Sequence, residues 1–224
     1  MAGFQELIFM SSSIQQNTSR MTGVQYTANK TVRTTTVPTV NPWRFTLKVD
    51  AAMPLNGVTN TGYPTRTLLQ ELQNLGKENP QYVQFYSPTS AYGNTFWWPY
   101  QGQMTPDQIN AITTVSFVGN QLVLTNLPNV PATTVLFRAG DIIEPNDAPF
   151  PYLITADVLR GTTTTVTVLT HRPNITIAPP VGTNILVGNS VGFYLFCPTM
   201  PDWSYNAGRY VTFNGPFELY EYIQ

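Results

Sequence analysis

Short stretches in which apolar and polar residues alternate recur along this chain, and they limit what it can fold into. In residues 41–53 (NPWRFTLKVDAAM), every second side chain from Trp43 to Val49 is apolar, and the side chains between them are polar. A period of two residues is typical of a β-strand with one buried face. Further strand-forming stretches occupy residues 82–87, 113–125, 133–143, 152–158, 163–169, 191–199 and 208–215. The sequence therefore predicts a mainly β protein, with a small closed or nearly closed β-unit between residues 113 and 169.

The last strand-like stretch, residues 217–223 (FELYEYI), has aromatic residues on both faces. One face carries Phe217, Leu219, Glu221 and Ile223, and the other carries Glu218, Tyr220 and Tyr222. Because neither face is purely apolar, we expect this strand either to be buried between neighbours or to pair with another subunit. Tyr220 and Tyr222 are therefore candidate interface residues.

Residues 65–75 form the one convincing helix. Thr65 is a suitable N-cap, a leucine stripe follows at positions 68, 69, 72 and 75, and Gly76 stands where a helix would end. A short helix with one apolar stripe is expected to pack against a sheet.

Residues 105–112 (TPDQINAI) contain a capping box, formed by Thr105 and Gln108, for one short helical turn. The next residues predict a β-hairpin that turns at Gly119-Asn120. Glycine at the first central position favours a type II′ turn.

Residues 1–40 are polar, rich in threonine and without helical periodicity. The segment 31–39 (TVRTTTVPT) has strand propensity that Pro38 interrupts. We interpret residues 1–40 as an extended arm with some strand pairing, and a disordered tail is the alternative.

Charged residues make up only 10% of the chain, against a typical share of about 25%, and the net charge is −1. The 11 Lys and Arg residues are scattered, so no basic cluster favours nucleic-acid recognition. The uncharged polar surface instead suggests that partners cover much of the protein. Glu6 precedes the short apolar run 7–10 and no cationic start precedes it, so we expect neither a secretory signal nor membrane insertion.

Few residues are available for chemistry. The single histidine, His171, stands at a strand end, and the single cysteine, Cys197, has no neighbouring metal ligand, although a zinc site needs about four ligands. The densest carboxylates are Asp141, Glu144, Asp147 and Asp157. They lack EF-hand spacing and are interpreted as turn residues. No G-x-S-x-G, P-loop or G-x-G-x-x-G motif is present. We therefore expect no metal, no cofactor and no enzymatic activity.

The segment 96–100 (FWWPY) concentrates aromatic residues, with Trp97, Trp98 and Tyr100 as the candidate interface residues. Three interpretations are open. Exposed rings stack on sugars, buried rings fill a core, and rings at a contact act as interface anchors.

The order of these segments resembles a family of tailed-bacteriophage virion proteins of the distal tail or baseplate. The resemblance begins with TSRMTGVQYT and NPWRFTLKVDAAM and continues through RTLLQELQNLGKENPQYVQFYSP. It is most specific in VLFRAGDIIEPNDAPFPYLITADVLRGTTTTVTVLTHRP, and it ends in GRYVTFNGPFELYEYI. Family members often have Gly-Gln after the helix, whereas this chain has Gly76-Lys77, so the loop there departs from the family pattern.

The resemblance implies a β-sandwich or split barrel of the tail-tube type, with one flanking α-helix and an inserted small β-domain. The ring-forming core would comprise residues 1–103 and 179–224, and residues 104–178 would form the insertion. It also implies a homo-oligomer, a six-fold ring of the virion that contacts tail tube, baseplate or fibre proteins. DNA would pass through the lumen without specific binding, and the chain would be made in the host cytoplasm.

Other functions remain open. A carbohydrate-binding module for a host receptor would use the aromatic residues of segment 96–100, and a neck or connector ring is a second possibility. The hypothesis of a wall-degrading hydrolase is supported only by the scattered carboxylates. Ring assembly agrees with the threonine-rich strands, which lack the lysines that protect exposed edges in monomers.

Overall fold

The computed structural model describes residues 3–17, 22–26, 32–36, 42–50, 52–59, 61–74, 79–85, 99–146, 148, 150–173 and 179–223, with only the backbone described for 17, 22–26 and 32–36. The helices are α1 (Gly3–Met10), α2 (Thr65–Asn74) and α3 (Pro106–Ala111). The strands are β1 (Ser13–Asn17), β2 (Thr22–Tyr26), β3 (Val32–Thr36), β4 (Arg44–Lys48), β5 (Met53–Pro54), β6 (Gln81–Gln84), β7 (Thr113–Val118), β8 (Gln121–Thr125), β9 (Val135–Phe137), β10 (Ile142–Pro145), β11 (Tyr152–Leu153), β12 (Val158–Leu159), β13 (Val166–Leu169), β14 (Ile185–Val187), β15 (Gly192–Phe196), β16 (Trp203–Tyr205), β17 (Tyr210–Phe213) and β18 (Phe217–Glu221).

A five-stranded antiparallel sheet with the order β1-β4-β18-β15-β6 forms one wall of the first hydrophobic core. Phe45 and Leu47 of β4 and Phe217 and Leu219 of β18 are buried on its inner face, and their neighbours in sequence are more exposed. The alternation predicted for these two strands is therefore confirmed. A smaller sheet, β16-β17-β5, joins the same core.

The prediction that residues 1–40 form an arm is wrong for residues 3–17. Phe4, Leu7 and Ile8 have helical i, i+3, i+4 spacing, and all three are buried in the first core from helix α1. The apolar stripe is only two turns long, which made its period hard to recognise. The Glu6 carboxylate of α1 accepts hydrogen bonds from the hydroxyls of Thr59 and Thr61. Strand β1 then completes the sheet, so this part of the chain is core, and the expected single helix becomes α1 together with α2 and α3.

Helix α2 lies where the leucine spacing predicted it. Leu68, Leu69 and Leu72 are buried, and Leu68 and Leu72 belong to the first core. Position 75 lies outside the described residues. In α3 the predicted capping box is confirmed, because the Thr105 Oγ1 accepts from Gln108 N at 3.4 Å and the Gln108 side chain accepts from Thr105 N at 2.9 Å.

A second hydrophobic core lies between the sheets β13-β8-β7, β11-β10-β14 and β9-β12. The predicted β7–β8 hairpin is confirmed, and its Gly119 has φ 59 whereas Asn120 is not left-handed, as a type II′ turn requires. The isolated bridges Thr113–Asn184 and Ile154–Thr170 link the first two of these sheets. The protein is mainly β, as predicted, and no sheet of the described residues closes on itself.

Strand β10 lies between the two cores. Ile142 packs in the first core and Ile143 in the second, because successive side chains of a strand point to opposite faces. Ile185 and Val187 of β14 also pack in the second core, although the proposed division assigns them to the C-terminal part of the first. The domain boundaries at 103 and 178 stay a prediction.

Candidate interaction surface

The outer face of the five-stranded sheet carries five aromatic side chains, which we call the aromatic face: Tyr82, Tyr194, Phe196, Tyr220 and Tyr222. They occupy the positions that alternate with buried residues on β6, β15 and β18. All five are partly exposed, with Tyr82 at 40% and Tyr194 at 38% the most exposed of them. Aromatic residues that share an exposed sheet face are typical of a contact surface rather than of a monomer's solvent-facing side.

The strand register brings these rings together. Phe196 is opposite Tyr220, and Tyr220 is opposite Arg44 of β4. The Phe196 and Tyr220 ring centroids are 5.9 Å apart, and the guanidinium carbon of Arg44 lies 5.1 Å from the Tyr220 centroid. The Tyr82 and Tyr194 centroids are 5.2 Å apart. The rings therefore lie in two contacting groups on three adjacent strands.

The charges on the aromatic face neutralise each other. Arg44 forms a salt bridge of 2.7 Å with Glu218, and the Tyr220 hydroxyl donates to the same carboxylate at 3.2 Å. Partial desolvation and this hydrogen bond raise the pKa of Tyr220. A nearly neutral aromatic surface favours protein or sugar partners over polyanions.

A buried carboxylate anchors one end of the aromatic face. Glu144 of β10 is 3% exposed, and its Oε2 accepts from the Tyr82 hydroxyl at 3.0 Å and from Gly192 N at 2.9 Å. Burial raises the pKa of Glu144 to about 7. The Tyr82 ring lies flat over Gly192, where an added Cβ would come within 2.1 Å of the ring. Only glycine at this position allows Tyr82 to reach Glu144.

A buried ion pair also connects the second core with the five-stranded sheet. Arg172 Nη1 and Nη2 donate to the two carboxylate oxygens of Glu221 at 2.7 and 2.6 Å, and both residues are 3% exposed. Glu221 Oε2 also accepts from Trp43 N at 2.9 Å, and Arg172 Nη2 donates to Pro151 O at 2.9 Å. This bidentate pair, with its extra hydrogen bonds, holds β18 in register beside the second core.

The sequence-predicted interface residues have different positions. Tyr220 and Tyr222 lie on the aromatic face, and Trp97 and Trp98 lie outside the described residues. Tyr100 is half-buried against the second core, where its hydroxyl donates to Leu136 O at 2.5 Å and accepts from Met104 N at 3.1 Å. Its ring and hydroxyl therefore contribute to that core.

Sequence reasoning missed Tyr82, Tyr194 and Phe196. Their alternation with the buried residues Val83, Phe193 and Leu195 could have identified their face. Alternation alone does not show that β6, β15 and β18 are neighbours, so the common surface was not predictable from it.

The residues considered for chemistry have structural contacts. His171 Nδ1 accepts from Leu153 N at 2.9 Å, and its ring contacts Trp43. Partial burial and the neighbouring Arg172 lower the pKa of His171 to about 4, although more than a third of the residue is exposed. Burial raises the pKa of the Cys197 thiol to about 11.

The carboxylate Asp141 caps a turn, as predicted. Its Oδ1 accepts from Gln101 N and its Oδ2 from Arg138 N, both at 2.9 Å. Asp157 accepts from Ala139 N at 2.8 Å in the same turn. Glu144 is instead a buried strand residue, so its interpretation as a turn residue was wrong, and position 147 lies outside the described residues. Within the described ranges, no group of three or more His, Cys, Asp or Glu side chains is placed to hold a metal ion.

No helix in the described part of the chain is long and apolar enough to cross a membrane. No known protein family model matches this sequence, and no curated protein matches it.

Proposed function

We propose that this chain is a structural protein of a bacteriophage tail or baseplate, in which copies of the chain form a ring. The observation that carries the proposal is the aromatic face, a nearly neutral and partly exposed surface with five aromatic side chains on one side of the sheet. Rings such as Tyr194 and Tyr222 are the side chains that most often anchor protein contacts. The low charge of the chain, 10% of its residues, agrees with a surface covered by copies of itself.

The proposed position in the particle comes from the resemblance of the segment 135–173 and its flanking strands to distal-tail and baseplate proteins. In this role the ring joins the tail tube to baseplate or fibre proteins, and a six-fold ring of the split-barrel type is the form we propose. DNA passes through the lumen without specific binding. The proposed role is non-enzymatic, and a neck or connector ring would use the same surface.

The test compares two pairs of exposed tyrosines. Tyr194→Ser with Tyr222→Ser removes two rings from the aromatic face, and Tyr205→Ser with Tyr210→Ser removes two rings from the smaller sheet as a matched control. Native mass spectrometry over a concentration series measures assembly, and negative-stain microscopy shows its symmetry. We expect the first pair to weaken assembly at least tenfold, since losing an interface anchor costs about 1–2 kcal/mol or more, and the control pair to assemble as the unmodified chain does.

Two outcomes would contradict the proposal. A chain that stays monomeric at all concentrations, alone and with purified tail tubes as a template, would exclude ring formation. Equal assembly of both variant pairs would show that the aromatic face is not the contact.

A second candidate function is carbohydrate binding, because a flat row of tyrosine rings also suits stacking on sugars. Binding to a glycan array by a monomeric chain, lost with Tyr194→Ser and Tyr222→Ser but kept in the control pair, would favour this function. Loss with Trp98→Ala alone would instead place the sugar site in the segment 96–100.

A further inference from the structure

The two edges of the five-stranded sheet differ. At the β6 edge, the Gln5 side chain of α1 forms the pair of backbone hydrogen bonds that a neighbouring strand would form. Its Oε1 accepts from Gln84 N and its Nε2 donates to Gln84 O, both at 2.8 Å. Phe4 N also donates to the Gln81 side chain at 3.0 Å. The chain therefore closes this edge with its own first helix.

The β1 edge has no such cover among the described residues. Strand β1 pairs with β4 from Ser13–Lys48 to Asn17–Arg44, and no other described strand pairs with it. An edge strand presents alternate backbone N–H and C=O groups outward. The sequence of β1, SIQQN, contains no lysine and no proline, which are the residues that commonly protect such an edge.

The hairpin β2–β3 follows β1 after residues 18–21. Its strands pair with each other from Thr22–Thr36 to Tyr26–Val32, and with no other described strand. A two-stranded hairpin is marginally stable by itself in water. It therefore gains most from pairing with a further strand, and both of its outer edges have the donors and acceptors to do so.

We propose that β1 of one copy accepts the β2–β3 hairpin of a neighbouring copy as an added strand pair. Each copy then has one acceptor edge and one donor hairpin, which is a head-to-tail contact, and such contacts form a ring when the rotation between neighbouring copies closes. Because α1 covers the β6 edge, β1 is the edge of the sheet that we expect to accept the hairpin. This inference rests on the proposed function, since it adds a second contact, beside the aromatic face, between the copies of the proposed ring.

The test uses cysteines in two copies with different tags, in a Cys197→Ser background. One copy carries Gln15→Cys on β1, and the other carries a cysteine scanned through residues 22–26 and 32–36. Oxidation forms a disulfide only where Cβ atoms approach to about 3.5–4.5 Å. We expect the cysteines at every second position of a hairpin strand to crosslink between copies at least tenfold more than those at the positions between them, because only alternate side chains share a face. Gln84→Cys on the closed edge is the control and should give only background crosslinking.

The outcomes separate this inference from the proposed function. Crosslinks only within one copy, or none although the tagged chains assemble, would overturn the hairpin contact and leave the ring proposal standing. Failure of the unmodified chain to assemble would overturn both. As a second measurement, replacing residues 22–36 by a short Gly-Ser linker should weaken assembly at least tenfold while the monomer keeps its melting temperature. Unchanged assembly of this variant would also overturn the hairpin contact.

Discussion

Glu144 gives the sharpest prediction, because a buried carboxylate that forms no ion pair with the described residues makes the free energy of unfolding depend on pH. Its pKa is raised from 4.5 to about 7, chiefly by burial, while the hydrogen bonds from Gly192 and Tyr82 oppose the rise. Between these two values the folded protein keeps a proton that the unfolded chain has released. The free energy of unfolding therefore falls as the pH rises from 4.5 to 7 and levels off above it. A tenfold change in proton affinity is about 1.4 kcal/mol, so the loss amounts to about 3 kcal/mol.

Glu144→Gln removes the charge and keeps an oxygen that accepts from Tyr82 and Gly192. We expect the variant to be more stable than the unmodified chain by up to about 3 kcal/mol at pH 8 and nearly equal to it at pH 5. For a chain of this size, the difference at pH 8 corresponds to a melting temperature up to roughly 6–12 °C higher. Thermal unfolding of both proteins at pH 5, 6, 7 and 8 measures it.

The comparison between variant and parent also removes the opposite effect of His171. The lowered pKa of His171, about 4, contributes stability that is fully present above pH 6.5 and is lost as the pH falls toward 4. Its partial exposure makes this contribution smaller than the pKa alone suggests. His171 is present in both proteins, so its effect cancels in their difference.

Glu218→Gln is the matched control, because its carboxylate lies in a surface salt bridge with Arg44. It should change the free energy of unfolding by less than about 1 kcal/mol at every pH. A Glu144→Gln difference that stays constant from pH 5 to pH 8 would refute the reasoning, because it would show that Glu144 does not bind a proton in this range.

Three further substitutions test the two cores and the joint between them. Leu72→Asp should destabilise the first core by more than about 4 kcal/mol, because Leu72 is fully buried. A melting temperature equal to the parent's would instead show that the leucine stripe of α2 is exposed. Arg172→Met alone should lower the free energy of unfolding, measured with denaturant, by about 3–5 kcal/mol, since it leaves the buried Glu221 charge unpaired. Arg172→Met together with Glu221→Leu should recover most of that loss. Equal losses in the single and the double variant would count against the ion pair. Gly192→Ala should displace the Tyr82 ring and lower the melting temperature, and an unchanged tyrosine near-ultraviolet circular dichroism spectrum would argue against the close approach.

Local patterns in the sequence were sufficient for several elements. The capping residues Thr105 and Gln108 start α3, and Gly119 sets the turn of the β7–β8 hairpin. The alternation in residues 217–223 predicted which side chains of β18 point inward. Each of these features depends on residues within a few positions of one another, so the chain itself contains the necessary information.

The candidate surface required the tertiary structure. Tyr82 and Tyr194 lie 112 positions apart, and they become neighbours only because β6 pairs with β15. The surroundings of Glu144 have the same origin, since its hydrogen-bond donors Tyr82 and Gly192 come from distant parts of the chain. Helix α1 was missed because its stripe from Phe4 to Ile8 is short, and its stability comes from packing on α2 and the sheet. Sequence periodicity thus determined the local elements and their inward faces, whereas strand order and register decided which outward faces meet.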